Sequence, residues 1–149
     1  MRAVIQRVGR AQVEIDGQIV GRVEHGLLVY LGVGRDDGSA DLEYVANKIH
    51  TMRIFPDSFG KLNLDVVQAG GGVLVVSNFT LFGDVSKGRR PAFAAAAEPA
   101  LAEPLYQRLC DLLRDVGLDV QTGGFGAKMS VAATNDGPIN ILVDSKRGS

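Results

Sequence analysis

Two uninterrupted apolar runs constrain the fold of this chain more than any other feature. Residues 26–33 read GLLVYLGV, and residues 72–81 read GVLVVSNFTL, a run that is apolar at first and ends in polar residues. A strand that is exposed on one face alternates apolar and polar side chains, so uninterrupted runs of this length are typical of strands buried on both faces. The sequence therefore predicts a β-sheet whose central strands are covered on both sides.

Shorter strands are predicted by alternation and by turn residues. Residues 11–16 alternate apolar and polar side chains and lead into Asp16-Gly17, a dipeptide that favours a tight hairpin turn. We expect residues 19–23 to form the returning strand. The remaining predicted strands cover residues 120–122, 128–133 and 139–143, with residues 135–138 as the connection between the last two.

Two segments have the spacing of amphipathic helices. Apolar residues recur every three or four positions over residues 41–55 and again over residues 105–116. Pro104 is expected in the first turn of the second helix and Gly117 directly after its end, where these residue types are favoured. Clustered strands with two helices and no regular βαβ alternation indicate an α+β fold with a compact barrel-like or sandwich-like sheet. The last five residues, SKRGS, are expected to form a frayed polar tail.

Composition excludes several classes of protein. The 149 residues suit one domain, which we expect to cover residues 1–149. Sixteen basic and seventeen acidic residues give a net charge of -1, which excludes a protein that coats nucleic acid by charge alone but allows a local contact with RNA. The single cysteine, Cys110, excludes a disulfide framework. Without a signal peptide or a membrane-length apolar run, a soluble cytoplasmic protein is expected.

The usual catalytic motifs are absent from the sequence. It contains no phosphate-binding GxxxxGK[ST] loop, HExxH helix, GxSxG elbow or CxxC pair. His25 lies in a predicted turn and His50 lies off the apolar stripe of its helix, so both are expected to be solvated. Two histidines do not make a multi-histidine metal site, and we expect neither a metal nor a cofactor. A hydrolase with this sequence would lack the usual Ser-His-Asp apparatus.

The polar end of the second apolar run is the first candidate site. Ser77 and Thr80 supply hydroxyl groups, Asn78 an amide and Phe79 an apolar wall. A buried strand that turns polar at its end commonly presents those groups at a cleft or an interface. The alternative is a plain strand end whose hydroxyl groups bond nearby backbone. The residues alone leave both interpretations open.

A second candidate is the segment Asn135-Asp136-Gly137-Pro138. Its simplest interpretation is a hairpin turn, because such residues are common in turns. A functional role would require a cis bond between Gly137 and Pro138, which turns the flanking carbonyl groups to one side as acceptors. The sequence does not decide between these alternatives.

The third candidate is the basic cluster Lys87-Gly88-Arg89-Arg90, which follows the first candidate site along the chain. Guanidinium groups bind phosphate through paired hydrogen bonds, so this cluster suits a contact with the backbone of a nucleic acid. A plain exposed loop is the other interpretation, and the sequence favours neither.

Six segments taken together resemble the D-aminoacyl-tRNA deacylase family. In chain order they read MRAVIQRVGRAQVEIDG, GLLVYLGV, MRIFPDSFGKLNLDV, GGGVLVVSNFTLFGDVSKGRRPAF, TGGFGAKMSVAATNDGP and VDS. The signatures of the family are an SQFTL strand end and a Gly-Pro pair in an NDGPVT-like turn. In this chain they stand as SNFTL and NDGPIN.

The resemblance implies an enzyme that hydrolyses the ester between a D-amino acid and the 3′-terminal adenosine of tRNA. The family can also release glycine from mischarged tRNA, and it spares L-aminoacyl-tRNA. The resemblance further implies a homodimer with two active sites at the subunit interface, and neither DNA nor a membrane as a partner.

The resemblance also assigns roles to particular residues. The Gly137-Pro138 pair, cis in the family, would project from one subunit into the pocket of the other, with Arg7 as its brace. The residues that would line the pocket are Ser77, Asn78, Phe79, Thr80 and Met129. The residues that would contact tRNA phosphates are Lys87, Arg89 and Arg90.

The mechanism implied by the resemblance is an attack of water on the ester carbonyl, helped by the ribose 2′-OH. A backbone N–H near Phe79 or Thr80 would stabilise the oxyanion. The carbonyl groups of Gly137 and Pro138 would hold the α-ammonium and exclude an L side chain. The rival mechanism makes Thr80 a covalent nucleophile, which needs an activating base that the sequence does not reveal.

Three residues depart from the pattern of the family. Asn78 stands for the usual Gln, Asn140 stands where Thr is common, and Lys128 occupies a position that is often acidic. These departures keep two alternatives open. One is a catalytically weak tRNA-binding dimer on the same scaffold, and the other is a hydrolase of general small esters.

Overall fold

The structure is a computed structural model that describes residues 1–147. The strands are β1 (Arg2–Ile15), β2 (Gln18–Val23), β3 (Gly26–Gly32), β4 (Phe55–Pro56), β5 (Leu62–Leu64), β6 (Gly72–Ser77), β7 (Val120–Thr122) and β8 (Ser130–Asp144). The helices are α1 (Ser39–Thr51) and α2 (Pro99–Asp115), and a short 3-10 turn covers Phe79–Phe82. No helix within residues 1–147 is long and apolar enough to cross a membrane.

Six strands form one sheet that curls until its two ends approach each other. β1 pairs antiparallel with β3 and β2 along one edge and with β8 along the other. β3, β6 and β7 continue the sheet as parallel neighbours. β2 then meets β7, since a Cβ on Gly21 would lie 2.3 Å from the carbonyl oxygen of Thr122. Only glycine permits this approach, and the sheet is a nearly closed barrel, in agreement with the predicted α+β class.

The curled sheet separates two apolar cores, one inside the barrel and one beneath the helices. Along β3, Leu28 faces the barrel interior, while Leu27 on the other face packs in the core that α1 and α2 cover. Along β6, Leu74 faces the barrel interior and Val75 packs in the core beneath the helices. β3 and β6 are therefore buried on both faces, as predicted, whereas Phe79 and Thr80 at the end of the second run are exposed. Truncating one of these fully buried leucines to alanine typically costs about 2–5 kcal/mol.

The helices differ at their ends from the predicted segments. α1 ends at Thr51, because the backbone becomes extended after it, so residues 53–55 are not helical. α2 begins at Pro99, which places Pro104 inside the helix and not in its first turn. Pro104 is exposed, so water can solvate the carbonyl group that its missing N–H leaves without a partner. Gly117 follows α2 with a φ of +92°, as predicted.

The second apolar run does not continue as a strand to its end. β6 stops at Ser77, and the residues that follow close into the 3-10 turn. Polar side chains that bond nearby backbone compete with strand pairing, which is the physical reason that the strand ends there. The predicted strand over residues 72–81 is therefore four residues too long.

The predicted turn at residues 135–138 is a bulge inside one long strand. Gln6 lies opposite Asn140 and Val8 opposite Asn135, so both halves of β8 run antiparallel to β1. A hairpin would have reversed the direction of the second half. The extra residues of β8 form a bulge that has no partner in β1. Residues 135–138 are called the Gly-Pro bulge below.

The two ends of the chain are joined beside α1. The Met1 amine is fully buried, donates to Ser145 Oγ at 2.7 Å and lies 2.7 Å from Asp37 Oδ2. Ser145 donates to Asp41, and Lys146 Nζ lies 3.0 Å from an oxygen of that carboxylate. The prediction of a frayed tail is wrong for residues 145–147, and residues 148–149 lie outside the described part of the chain.

Candidate active site

A cavity of about 600 Å³ lies where β3 and β6 end. Its walls come from those strand ends, the start of the 3-10 turn, the segment before and into α2, and the loop between β7 and β8. Ser77, Asn78, Phe79 and Met129 line it, and all four are predicted pocket residues. Thr80, the fifth, is not among the lining residues. A cavity of this size holds a ligand larger than an amino acid.

Asn78 organises the turn that forms one wall of the cavity. Its Oδ1 accepts a hydrogen bond from the Thr80 N–H at 3.2 Å and another from the Thr80 hydroxyl. Its backbone N–H donates to the Leu31 carbonyl at 2.8 Å, which ties the turn to the end of β3. A side-chain cap of this kind typically stabilises a helical turn by about 1 kcal/mol. Asn78 therefore fixes the path of the main chain at Phe79.

Aromatic rings make much of the cavity wall apolar. The Phe79 ring stands edge-on to Phe93 with centroids 5.1 Å apart, and 56% of the Phe79 surface is exposed. Tyr30 reaches the cavity from β3, and burial raises the pKa of its phenol. The phenol is therefore protonated at neutral pH and can donate a hydrogen bond.

The Gly-Pro bulge does not contribute to the cavity wall of its own chain. The bond between Gly137 and Pro138 is cis, and both residues are exposed. Neither residue lines the cavity. Asn135 Oδ1 accepts the Ile139 N–H at 3.0 Å and closes the bulge. Gly137 has a φ of +131°, and a Cβ there would lie 2.9 Å from Ile139 Cγ1, so the position requires glycine.

Arg7 joins the Gly-Pro bulge to the rest of the fold. Its guanidinium is buried, and its Nε donates to the Asp136 carbonyl at 3.2 Å and lies 3.2 Å from Asp136 Oδ2. Its Nη1 donates to the Ile54 carbonyl at 2.8 Å. One planar side chain thus bridges β1, β8 and the entry to β4, a task that suits the fixed fork of arginine.

A basic loop borders the cavity. The N–H of Asp84 donates to the carbonyl of Ala92 at 2.8 Å, and the reverse bond is 2.9 Å, so the loop is closed at its base. Phe93 follows directly and lines the cavity, which places the loop beside its mouth. The predicted phosphate contacts lie exposed on this loop and are Lys87, Arg89 and Arg90.

Residues 4–144 match the family model described as D-Tyr-tRNA(Tyr) deacylase. The chain belongs to this family. It is 55% identical over 147 residues to a protein named D-aminoacyl-tRNA deacylase from Anaeromyxobacter dehalogenans, and the match covers 99% of each chain. The resemblance found in the sequence is confirmed, and the family places the chain among the deacylases, which are hydrolases.

Solved structures share the fold of this family member. One described as c-Myc DNA Unwinding Element Binding Protein is similar with a TM-score of 0.91 and 36% identity, covering 97% of this chain and 98% of its own. Another, described as a probable eukaryotic D-amino acid tRNA deacylase, has a TM-score of 0.81 at 18% identity, covering 95% and 97%. The second likeness shows the fold alone. The α+β fold with a nearly closed barrel and two helices is confirmed.

Sequence reasoning missed several residues of the cavity wall. Tyr30 is hidden in an apolar run, and Phe93 and Glu98 carry no motif, yet all three line the cavity. Gly123, Gly124 and Gly126 surround Phe125, and this glycine-rich loop is a weak signal in the sequence for that ring. His25 stands edge-on to Phe55 at 5.3 Å, and neither histidine lines the cavity.

Proposed function

We propose that the protein hydrolyses the ester between a D-amino acid and the 3′-terminal adenosine of tRNA, and that it also releases glycine from mischarged tRNA. The observation that carries the proposal is the cavity at the SNFTL segment of a chain in this family. It is large enough for an aminoacyl-adenosine, and its aromatic walls suit a nucleobase. The proposed enzyme works as one domain in the cytoplasm and uses no metal or cofactor.

A homodimer is the proposed active unit. The Gly-Pro bulge does not line the cavity of its own chain, although the proposed reaction needs both at one substrate. Within the described residues β8 pairs only with β1, and Leu142 on β8 is 80% exposed. A long strand edge without a partner is a template for pairing with another chain. A two-fold dimer can therefore bring the bulge of each copy to the cavity of the other.

Chirality in this proposal comes from the Gly-Pro bulge. The carbonyl groups of Gly137 and Pro138 from one subunit bind the α-ammonium of the substrate in the cavity of the other. An L side chain would point at the bulge and clash with it, whereas a D side chain points away. Ser77 and Asn78 border the ester, and Met129 forms the wall beside the amino-acid side chain.

The proposed chemistry needs no side-chain base, because the neighbouring ammonium activates the ester. Water attacks the carbonyl carbon with the ribose 2′-OH assisting its deprotonation, and the electron pair moves to the carbonyl oxygen. Collapse of the intermediate expels the 3′-oxygen of the ribose, which takes up the proton. The Thr80 N–H already donates to Asn78, so the Phe79 N–H is the proposed oxyanion donor. A donor of this kind is typically worth about 100-fold or more in rate.

Thr80 is proposed to position the turn and not to attack the ester. Its hydroxyl donates to Asn78 Oδ1, and Thr80 does not line the cavity. A nucleophilic threonine needs a base to take its proton. An amide oxygen is not such a base, so the contact of Thr80 favours the ribose-assisted route.

The basic loop is proposed to hold the tRNA. Its position at the mouth of the cavity suits a contact with the phosphates that precede the terminal adenosine, and such contacts weaken as salt rises. The residues proposed for this role are Lys87, Arg89 and Arg90.

Deacylation of D-Tyr-tRNA and L-Tyr-tRNA by the purified protein tests the proposed function. We expect release of D-Tyr at a rate at least about 100 times that of L-Tyr. A D-Tyr-tRNA that ends in 2′-deoxyadenosine should lose most of that rate. Binding of D-Tyr-tRNA without release would support a tRNA-binding dimer instead. Equal hydrolysis of a D-Tyr methyl ester would support a general esterase.

A further inference from the structure

One carboxylate stands in the wall of the cavity. Glu98 directly precedes α2 and lines the cavity, whose other lining residues are all uncharged. Its side chain does not cap α2. The ion pairs within residues 1–147 do not include Glu98. Glu98 is exposed, so its hydrated carboxylate stands at the edge of a largely apolar space, where it can accept a hydrogen bond from a bound ligand.

The part of the cavity near Glu98 suits a flat ring. Glu98 and Ala102 lie one helical turn apart, and both line the cavity. Tyr106 lies one turn further along α2, and the ring of Phe125 packs on it with centroids 5.8 Å apart. Phe125 also lines the cavity. A small side chain near an aromatic ring leaves a slot in which a nucleobase can stack.

The slot and the reacting ester lie at different walls of one cavity. In the proposed function the ester carbonyl lies at Phe79, beyond the end of β6, whereas Glu98 lies at the start of α2. A volume of about 600 Å³ exceeds what an amino acid fills and leaves room for a nucleoside. When the ester of the substrate lies at Phe79, the terminal base of the tRNA is the part of the substrate that reaches the α2 wall.

We propose that Glu98 is a specificity residue that accepts a hydrogen bond from the exocyclic amine of the terminal adenine. This deepens the proposed function and rests on it, because it assigns a place to the 3′-terminal nucleoside. Adenine presents an amine where hypoxanthine and guanine present a carbonyl oxygen. When position 6 of the base faces Glu98, the carboxylate accepts from the amine of adenine and repels the carbonyl oxygen of hypoxanthine, so Glu98 selects tRNA that ends in adenosine.

The test compares deacylation of D-Tyr-tRNA ending in adenosine with the same tRNA ending in inosine. The wild type should prefer adenosine by about tenfold in kcat/KM, with the difference in KM. Glu98→Ala should remove the preference and leave kcat near its original value. Glu98→Gln, whose amide both donates and accepts, should bind inosine better than Glu98→Ala does. Glu103→Gln changes a nearby charge outside this cavity and should keep the preference.

A Glu98→Ala variant that still prefers adenosine would overturn the proposal. The rates for D-Lys and D-Glu esters of the same tRNA give a second test. A rate that depends on the charge of the amino acid and not on the terminal base would also overturn the proposal. Calorimetric binding of free adenosine and inosine gives a readout that needs no turnover. Tighter binding of adenosine that depends on Glu98 supports the proposal, and equal binding contradicts it. If the wild type releases no D-Tyr, the proposed function fails, and this binding comparison still decides the role of Glu98.

Discussion

The cavity wall and the Gly-Pro bulge form the two halves of the proposed site, and they are held in different ways. The wall is local, since Asn78 caps a turn that begins at the next residue. The bulge is held from afar, since Arg7 reaches carbonyl groups 129 and 47 residues away in sequence. A local cap can be replaced by another short polar side chain, whereas a clamp between three segments has no simple substitute. The bulge should therefore tolerate change less well than the wall.

The largest effect is expected from Gly137→Ala. The added Cβ would meet Ile139, and the φ of +131° disfavours any L residue, so the bulge must shift. A displacement of about 1 Å in a positioning group costs on the order of 100-fold in rate. We expect a loss of that size in kcat/KM for D-Tyr-tRNA, measured by release of D-Tyr.

Gly60→Ala is the matched control for this change. Gly60 also has a positive φ, +78°, but a Cβ there meets open space. The variant should lose a similar amount of backbone stability and keep its activity. Equal activity losses in both variants would show that strain in general, and not the place of the bulge, explains the effect.

Replacing Arg7 should give the next largest effect. In Arg7→Lys the ammonium cannot reach both carbonyl groups, so either the buried acceptor at Ile54 or the half-buried one at Asp136 loses its partner. We expect the free energy of unfolding to fall by about 1–3 kcal/mol and kcat/KM to fall by about tenfold. Chemical denaturation and deacylation assays measure the two changes. Arg10→Lys on the exposed part of β1 should change neither, and an unaffected Arg7→Lys enzyme would contradict the clamp.

The cap in the cavity wall should prove easier to replace. Asn78→Ala removes the acceptor for the Thr80 N–H and should lower kcat by about fivefold while costing about 1 kcal/mol of stability. Asn78→Ser supplies another capping oxygen and should recover most of both losses. A serine variant as impaired as the alanine variant would mean that Asn78 contacts the substrate through its amide and does more than hold the turn.

Thr80→Ala should have the smallest effect. The variant loses one hydroxyl contact with Asn78, while the backbone cap remains. Activity should stay within about threefold of the wild type, because the loss of one exposed hydrogen bond typically costs under about 1 kcal/mol. A fall by several orders of magnitude, together with a trapped acyl-enzyme, would instead establish the covalent route.

The same contrast explains what could be predicted from the sequence. The two buried strands and the polar segment that follows the second are encoded by adjacent residues, and they lie where the sequence places them. Residues 135–138 carry ordinary turn residues, and only pairing with β1 shows that they form a bulge. The first turn of α2 carries no buried side chain, so the apolar spacing begins only at residue 105 and places Pro104 in the first turn. Glu98 enters the cavity wall only through tertiary packing, which no local pattern reports.

The central claim is that each site joins the cavity of one subunit to the Gly-Pro bulge of the other, and subunit mixing tests it most directly. Ala127→Trp fills the cavity, Gly137→Ala displaces the bulge, and each variant alone should be inactive. In a mixed dimer, one site would combine the intact cavity with the intact bulge. An equal mixture that has exchanged subunits should then recover about a quarter of wild-type activity. Failure to recover any activity, with mixed dimers demonstrated by mass spectrometry, would contradict a shared site.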